Sequence, residues 1–387
     1  MIPENLPIPQ PGEPIPWTKL EDSLLSPEIN RMKETPQDPL WHPEGNVWTH
    51  TQMVLDVLTQ SEEWKNASSE NRSILFLAAL LHDLGKLLCT RTENSRIISP
   101  NHGRIGAKYA REILWKRFQM AGSKESQRIR ETICSLIRFH SSPVHFLDSD
   151  HPEYLVLRPA SDGDTALSMS NRLLAALVHA DLNGRGKNTD SISSSLEALE
   201  LYRQMAEEYE CLDGPFPFSS PWSRFTYFSK RTEWPRTDLF DNSWGEVILL
   251  SALPGTGKDT YYRNHLSDRP MISLDTIREE MKIAPEANQN AVAGKARDRA
   301  KEFLRIKQPF VWNATNISDF IRGSVVRLCM DYGASVRIIF LEASWEETLK
   351  RNKSRKKAVP ESVLDHLLAK LEPPSVREAP NVDWIIS

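Results

Sequence analysis

The chain has 387 residues, more than one hydrophobic core usually supports, so two or more domains are expected. Apolar residues make up 40% and charged residues 26%, the balance of an ordinary soluble globular protein, and a net charge of −4 excludes a nonspecific nucleic-acid coat. Cys89, Cys134, Cys211 and Cys329 fall in no CxxC or zinc-knuckle spacing, and no stretch has the form of a signal peptide or a membrane span; the expectation is a reduced, cytoplasmic protein away from membranes.

A proline-rich segment around Pro9, Pro14 and Pro16 comes first. From about Val47 to Ala206 apolar residues recur at three- and four-residue intervals, as in Trp48 to Leu58, Ile74 to Leu81, Ile105 to Phe118 and Leu173 to Ala180, which predicts an all-α half. His50, His82, Asp83 and Asp181 lie in segments that scan as helix. A metal bound through imidazole nitrogen and carboxylate oxygen draws its ligands from several helices, since one helix presents at most two on a face. A lone histidine on an apolar helix is usually a satisfied core residue; four such residues in the order H, HD, D make a metal site the better reading. Lys86, one turn beyond the pair, is placed to neutralise a metal-bound phosphate.

These residues resemble the HD phosphohydrolase superfamily, whose all-α core holds a metal through H…HD…D. More specifically, Trp41-His42-Pro43-Glu44-Gly45-Asn46-Val47-Trp48-Thr49-His50-Thr51, His82-Asp83-Leu84-Gly85-Lys86, His102 with Gly106-Ala107, Arg138-Phe139-His140 and Ala180-Asp181-Leu182-Asn183-Gly184-Arg185 are similar to the HD domain of bacterial CCA-adding tRNA nucleotidyltransferases. The resemblance implies hydrolysis of 2′,3′-cyclic phosphates and phosphomonoesters at RNA ends. About fifty residues precede His50 without the paired carboxylates of a polymerase head, so CCA addition is not expected. By the same resemblance His102 and His140 complete a second metal site; they are alternatively phosphate contacts or plain core histidines. Arg185 is a phosphate or 2′-OH contact, and Mn²⁺, Co²⁺, Ni²⁺ or Fe suits the mixed ligand set. His42, His145 and His151 receive no assignment.

The segment 213–243, broken by Pro215, Pro217, Pro221 and Pro235 and mixing aromatics with Arg224, Lys230, Arg231 and Arg236, is expected as a linker or packed strap, and its stretch Arg224 to Arg236 as a local nucleic-acid contact. Beyond it, apolar runs at Glu246 to Ala252, Met271 to Leu274, Pro309 to Trp312, Val336 to Leu341 and Trp384 to Ile386 alternate with helical stretches, which predicts a parallel α/β sheet. Domains are therefore expected over 1–212 and 244–387. After the first strand, Pro254-Gly255-Thr256-Gly257-Lys258 reads as a phosphate-binding loop at a helix start. Its pattern departs from G-x-x-x-x-G-K-[ST] at Ala252 and Asp259. Asp259 is the expected Mg²⁺ ligand, with Thr260 as the alternative. Asp275 and Arg278 face one way at a later helix start, where the plainer alternative is that Asp275 only caps the helix.

With Thr315-Asn316 and the run Arg351-Asn352-Lys353-Ser354-Arg355-Lys356-Lys357-Ala358-Val359-Pro360, residues 245–387 resemble the phage-type P-loop polynucleotide kinases. The resemblance implies that Asp275 is general base for a 5′-OH and that Arg278 binds the acceptor's terminal phosphate. It places Lys258 on the donor phosphates, Gly255, Thr256 and Gly257 around them, and Arg355, with Arg351 nearby, on the transferring phosphoryl group. Thr315 and Asn316 have a structural role. Together the halves look like a bacterial HD-Pnk fusion that heals RNA or DNA ends: it removes a 2′,3′-cyclic or 2′/3′-phosphate and phosphorylates a 5′-OH with Mg²⁺ and ATP or GTP. A separate ligase then seals them. Two other readings stand beside it, a nucleotide phosphohydrolase joined to a small-molecule kinase and a non-catalytic NTP-switched binding module.

Overall fold

The structure, a computed structural model, describes residues 6–161, 169–186, 189–230, 234–284, 287–355 and 357–387. Arg231 and Lys356 of the basic runs lie outside the described residues. The chain divides near 217 into two compact units.

In the first unit, helix α1 (Val47–Gln60) starts where the Asn46 side chain accepts from the Thr49 N–H. Ser68 starts α2 (Ser69–Leu81) in the same way, each cap satisfying a donor that the helix itself cannot and contributing about 1 kcal/mol. Every residue of α2 from Ser73 to Leu81 is buried. A helix apolar all round has no solvent face, so α2 runs through the centre and delivers His82 into the core. A short antiparallel hairpin follows, β1 (Arg91–Glu93) with β2 (Arg96–Ile98). It was not expected in an all-α half. Its turn is held by Asn94 at φ 50° and Ser95 at φ 60°, the left-handed pair that a two-residue hairpin requires. Then come α3 (His102–Lys116), α4 (Lys124–Phe139) and α5 (Asn171–Asn183). Asn171 anchors α5: its amide donates to the carbonyls of Val156 and Cys211, and its Oδ1 accepts from the Tyr202 hydroxyl at 2.7 Å.

The expected strap divides at the same place, 213–217 going with the first unit and 218 onward with the second. Helix α6 (Pro221–Lys230) sends Phe225 into the second core, and Arg224 donates to the backbone carbonyls of Val376 and Pro380. Phe225, Tyr227 and Phe228 are buried. These three side chains pack rather than offer bases a stacking platform, whereas Trp234 of the same stretch is exposed.

The second unit is built on β3 (Glu246–Ala252), β4 (Met271–Ser273), β5 (Val311–Asn313), β6 (Ser335–Glu342) and β7 (Asn381–Ile386). They form one parallel sheet in the order β4-β5-β3-β6-β7. Val247 and Leu249 of β3 join one apolar cluster, Ile248, Leu250 and Ala252 another. The side-chain period of two thus feeds a core on each face, which is why the strand reads as one unbroken apolar run. The chain leaves β3 for β4 and β5 on one side of it and then crosses from β5 to β6 on the other, so the strand order reverses at β3 and the crevice beyond its C-terminal end is where such a sheet binds ligands. Helix α7 (Lys258–His265) begins there. α8 (Leu274–Glu280) begins at the end of β4.

Candidate metal centre and phosphoryl-transfer cleft

His82 is the C-cap of α2 and Asp83 lies in the turn after it, which corrects the expectation of a helix across both residues. Glycine makes that turn possible. A Cβ on Gly85 would lie 1.9 Å from the His102 carbonyl oxygen, and one on Gly184 2.7 Å from Val54 Cα. These two bare positions let α3 close onto the HD turn and the end of α5 close onto α1. His50, His82, Asp83, Asp181 and His140 are all buried and His102 half-buried.

Beside a group of His42, Glu44 and His50, two ligand groups form around the HD turn, His50 with His82 and Asp181, and Asp83 with His102 and His140. They adjoin: Asp83 Oδ2 is 3.3 Å from His82 Nε2, and Asp83 Oδ1 is 3.7 Å from His102 Nε2. Three imidazoles are fixed alike, with Nδ1 held by a backbone carbonyl three residues earlier: His82 on Ala79 at 2.7 Å, His102 on Ser99 at 2.9 Å and His140 on Ile137 at 2.7 Å. A carbonyl only accepts, so each ring keeps its proton on Nδ1 and turns the Nε2 lone pair inward. The His102 and His140 Nε2 atoms are then 3.0 Å apart, lone pair to lone pair, a contact that a shared cation relieves. Buried His82 Nε2 and Asp83 Oδ1 have no hydrogen-bond partner. This donor set of inward-facing imidazole nitrogens, carboxylates and orphaned atoms fits a first-row metal.

His50 is held differently. Its Nδ1 is 2.9 Å from Glu44 Oε1 and its Nε2 2.9 Å from Asp181 Oδ1. Glu44 also takes His42 Nδ1 at 2.8 Å and the Gly186 N–H at 3.0 Å. Burial alone would lower His50, but the hydrogen bonds to Asp181 and Glu44 outweigh it and raise the imidazole. Lys86 does not stand free: its Nζ lies 2.8 Å from Asp83 Oδ2 and donates to Gln37 Oε1 at 2.6 Å. Burial would raise Asp83, but Lys86, His82 and His102 together hold it well below the usual carboxylate range. Arg185, 3.0 Å from Asp181 Oδ2, together with His50 does the same for Asp181 against its burial. Glu44 and Gln37 had no role assigned from sequence. Nothing in spacing shows a carboxylate reaching forward to a helix it precedes.

His145 and His151 are exposed, each beside a nearby carboxylate, Asp148 and Glu153, and take no part.

In the second unit Gly255 (φ 91°) and Gly257 (φ 89°) sit in the left-handed region, and a Cβ on Gly255 would lie 2.7 Å from the Thr348 carbonyl oxygen. The Thr256 hydroxyl turns inward to the Leu253 carbonyl at 2.9 Å, so Thr256 braces the loop with its side chain and offers ligand only its backbone. A cleft of about 310 Å³ is lined by this loop, Lys258, Asp259, Thr260, Arg351 and Arg355. Burial lowers Lys258, partly countered by Asp259 and Asp275. Asp259 Oδ1 accepts from Asn313 Nδ2 at 2.9 Å, whereas the exposed Thr260 accepts from Arg263 at 3.1 Å. Arg351 is held by Glu347 at 2.7 Å and by Ser387 Oγ at 3.2 Å; Arg355 is exposed at the rim.

Ser273 caps α8, its side chain accepting from the Thr276 N–H, so capping does not account for Asp275. Asp275 is exposed and paired with Arg278, which also donates to Gln289 Oε1 at 2.8 Å. Asn316, at φ 47°, donates to the Leu250 carbonyl at 2.7 Å and so ties the end of β5 to β3.

Residues 47–163 match the HD domain model and residues 247–374 that of an AAA domain. A multifunctional CCA protein of Halorhodospira halophila is 38% identical over 89 residues, 23% of this chain and 19% of that protein. An L-seryl-tRNA(Sec) kinase of Methanococcus maripaludis is 24% identical over 140 residues, 34% of this chain and 55% of that one. A gluconokinase from Sinorhizobium meliloti 1021 superposes with TM-score 0.29 at 18% identity, over 37% of this chain and 83% of its own. The chain thus spans about a fifth of one curated relative and about half of the other. Among the described residues no helix is long and apolar enough to cross a membrane. What the matches and the two sites have in common is plain: a helical HD phosphohydrolase-type domain is followed here by a P-loop kinase-like domain on a parallel five-stranded sheet.

Proposed function

We propose that this chain is an HD-Pnk-type end-healing enzyme. The first unit removes 2′,3′-cyclic or 2′/3′-phosphates from nucleic-acid ends; the second phosphorylates a 5′-OH. The observation that carries the reading is the pairing of two different phosphate sites in one chain, a buried imidazole–carboxylate centre and an open P-loop cleft with a carboxylate–guanidinium pair at its sheet edge. Two relatives, by their names a CCA protein and a kinase of seryl-tRNA(Sec), support an RNA-bearing substrate for each half.

In the HD centre, His50, His82 and Asp181 would hold one ion, and Asp83, His102 and His140 a second. A bound ion supplies Lewis acidity and an activated water. The chain's own part is to keep the carboxylates charged, through Lys86 on Asp83 and Arg185 on Asp181, and to fix His82, His102 and His140 with Nε2 facing inward. Arg185, half-buried beside Asp181, is the residue to meet the substrate phosphate.

In the kinase cleft, Gly255, Thr256, Gly257 and the first turn of α7 offer backbone N–H groups to the donor phosphates, and Lys258 adds charge. Asp259 belongs to the Mg²⁺ of the Mg²⁺–NTP donor. Asp275 accepts the proton of the 5′-OH; for this Arg278 must release it and turn to the acceptor's phosphate. Arg355, unobstructed at the rim with Arg351 behind it, stabilises the transferring phosphoryl group.

The test is a 5′-OH oligonucleotide with a 2′,3′-cyclic phosphate, incubated with Mn²⁺ and Mg²⁺, with and without ATP, both ends read by mass. Opening and removal of the cyclic phosphate without ATP, and a 5′-phosphate only with it, are expected. Turnover of mononucleotides with the oligonucleotide untouched would move the reading to a small-molecule enzyme pair.

A further inference from the structure

The strand beside the P-loop strand ends in a residue for which the kinase reading has no use so far. Asn313, the last residue of β5, is paired in register with Leu250 of β3 on one side and Ser273 of β4 on the other. It therefore stands between the strand that leads to Lys258 and the strand that leads to Asp275. The side chain is 4% exposed. Its Nδ2 donates to Asp259 Oδ1 at 2.9 Å and lies 3.2 Å from Met271 Sδ, and its Oδ1 is buried without a hydrogen-bond partner. Turning the amide over does not satisfy it: Oδ1 would then meet the Asp259 carboxylate, acceptor against acceptor. A buried amide oxygen left open on a side chain bonded to Asp259, which lines the cleft, asks for a donor that arrives with the ligand.

P-loop enzymes commonly hold Mg²⁺ with two protein oxygens, a neutral hydroxyl just after the P-loop lysine and an Asp carboxylate from a second strand. Here the position after Lys258 is the carboxylate Asp259, and the neutral oxygen is on the strand, at Asn313. One carboxylate and one neutral oxygen remain, exchanged between the two positions. We infer that Asp259 and Asn313 form one charge-exchanged Mg²⁺ site, in which Asn313 orients the Asp259 carboxylate for the ion and gives its free Oδ1 to a water of the ion's hydration shell. It rests on the kinase reading above. Mg²⁺ keeps several of its waters when bound, and each carries the donor that Asn313 lacks. The exchange moves the negative charge toward the donor side of the cleft, where the Lys258 ammonium lies 3.9 Å from Asp259 Oδ1.

The experiment is equilibrium binding of ATP, with and without Mg²⁺, to the full chain and to Asp259→Ser, Asn313→Asp and the double variant. In the unaltered protein Mg²⁺ tightens ATP. Asp259→Ser leaves no carboxylate in the site and should cut that tightening by roughly tenfold or more, the range for a lost metal partner. Asn313→Asp alone sets two carboxylates side by side and should weaken metal-free ATP binding. The double variant restores the ordinary arrangement and should regain the tightening to within about threefold of the unaltered protein, a coupling that independent sites do not show. A double variant no better than the product of the two single losses overturns the inference while the kinase reading stands. An unaltered protein that binds no ATP in the presence of Mg²⁺ overturns both. Asn313 is buried, so thermal unfolding of its variants is measured alongside; if they do not fold, Asp259→Ser, at an exposed position, still decides, and unchanged Mg²⁺ tightening in it overturns the site.

Discussion

The two candidate sites are built on opposite plans. In the first unit the functional side chains are buried, or half-buried at His102, and each is held by a second protein group: three imidazoles by backbone carbonyls, His50 by Glu44, Asp83 by Lys86, Asp181 by Arg185. In the second, Asp275 and Arg355 are exposed, and Asp275 is tied to Arg278, a partner that the proposed substrate must displace. A metal needs its ligands arranged before it arrives, because an ion gains little from a site it must first assemble. A kinase acceptor and its lid residues must open and close with each turnover. The difference predicts where substitutions act: in the first unit on metal affinity and folding, in the second on rate and KM.

The largest effect is expected at the metal ligands. Asp83→Ala removes a carboxylate that lies 3.3 Å from His82 of one ligand group and 3.7 Å from His102 of the other, and leaves the buried Lys86 without its counter-charge. Hydrolysis of a 2′,3′-cyclic phosphate should fall below detection while 5′ phosphorylation of the same strand persists. Parallel loss of both activities in a folded variant would break the comparison. Next, Asp275→Asn should lower kinase turnover by roughly two to four orders of magnitude with the Kd for Mg²⁺–ATP unchanged, since a general base touches only the acceptor hydroxyl. Unaltered turnover would make Asp275 a surface residue.

Glu44→Gln sharpens the contrast from the other side. It keeps the shape but loses the charge that steadies His50, and metal affinity measured by competition with a chelator should drop roughly 10- to 100-fold. The kinase rate should not change. Arg278→Ala should raise the apparent KM for the acceptor, most for acceptors with a phosphate beside the reacting nucleoside, and do little to the donor KM.

The smallest effect concerns pH. Burial, helped by His102 and His82, pushes His140 from 6.5 down to about 3, and burial lowers His102 and His42 as well. Between those values the unfolded chain binds a proton that the folded site refuses, so stability falls as pH drops from 6.5 toward 3. Raised His50 works the opposite way: its contribution is present below 6.5 and is lost as pH climbs through its folded value. The large shift of His140, which His102 and His42 join, carries the loss toward acid. The urea midpoint of the metal-free protein should be lower at pH 5 than at pH 7.5.

Much of this architecture was legible because residue type and spacing carried it. The apolar run at Glu246 to Ala252 became β3 with those bounds, and H, HD, D marked residues that converge from three helix ends or faces. What stayed hidden depended on contacts between segments distant in sequence. Glu44 precedes the helix it braces, and no periodicity shows its reach to Gly186. Asn313 read as a strand end, and its bond to Asp259, 54 residues away, exists only once β5 lies against β3. Arg224 scanned as a basic surface residue because charge is visible in sequence and the carbonyls of Val376 and Pro380 that satisfy it are not. The Arg91–Ile98 hairpin was missed because three-residue strands are too short to display alternation.

The central claim, two independent phosphate sites in one chain, is tested most directly by mixing. His82→Ala and Asp275→Asn proteins are each given the 5′-OH, 2′,3′-cyclic phosphate strand with metal and ATP, first alone and then together, and both ends are read by mass. Each variant alone should heal one end, and the mixture should heal both on the same strand at close to the rate of the unaltered protein. A mixture that leaves the strand no better healed than either variant alone would contradict the account.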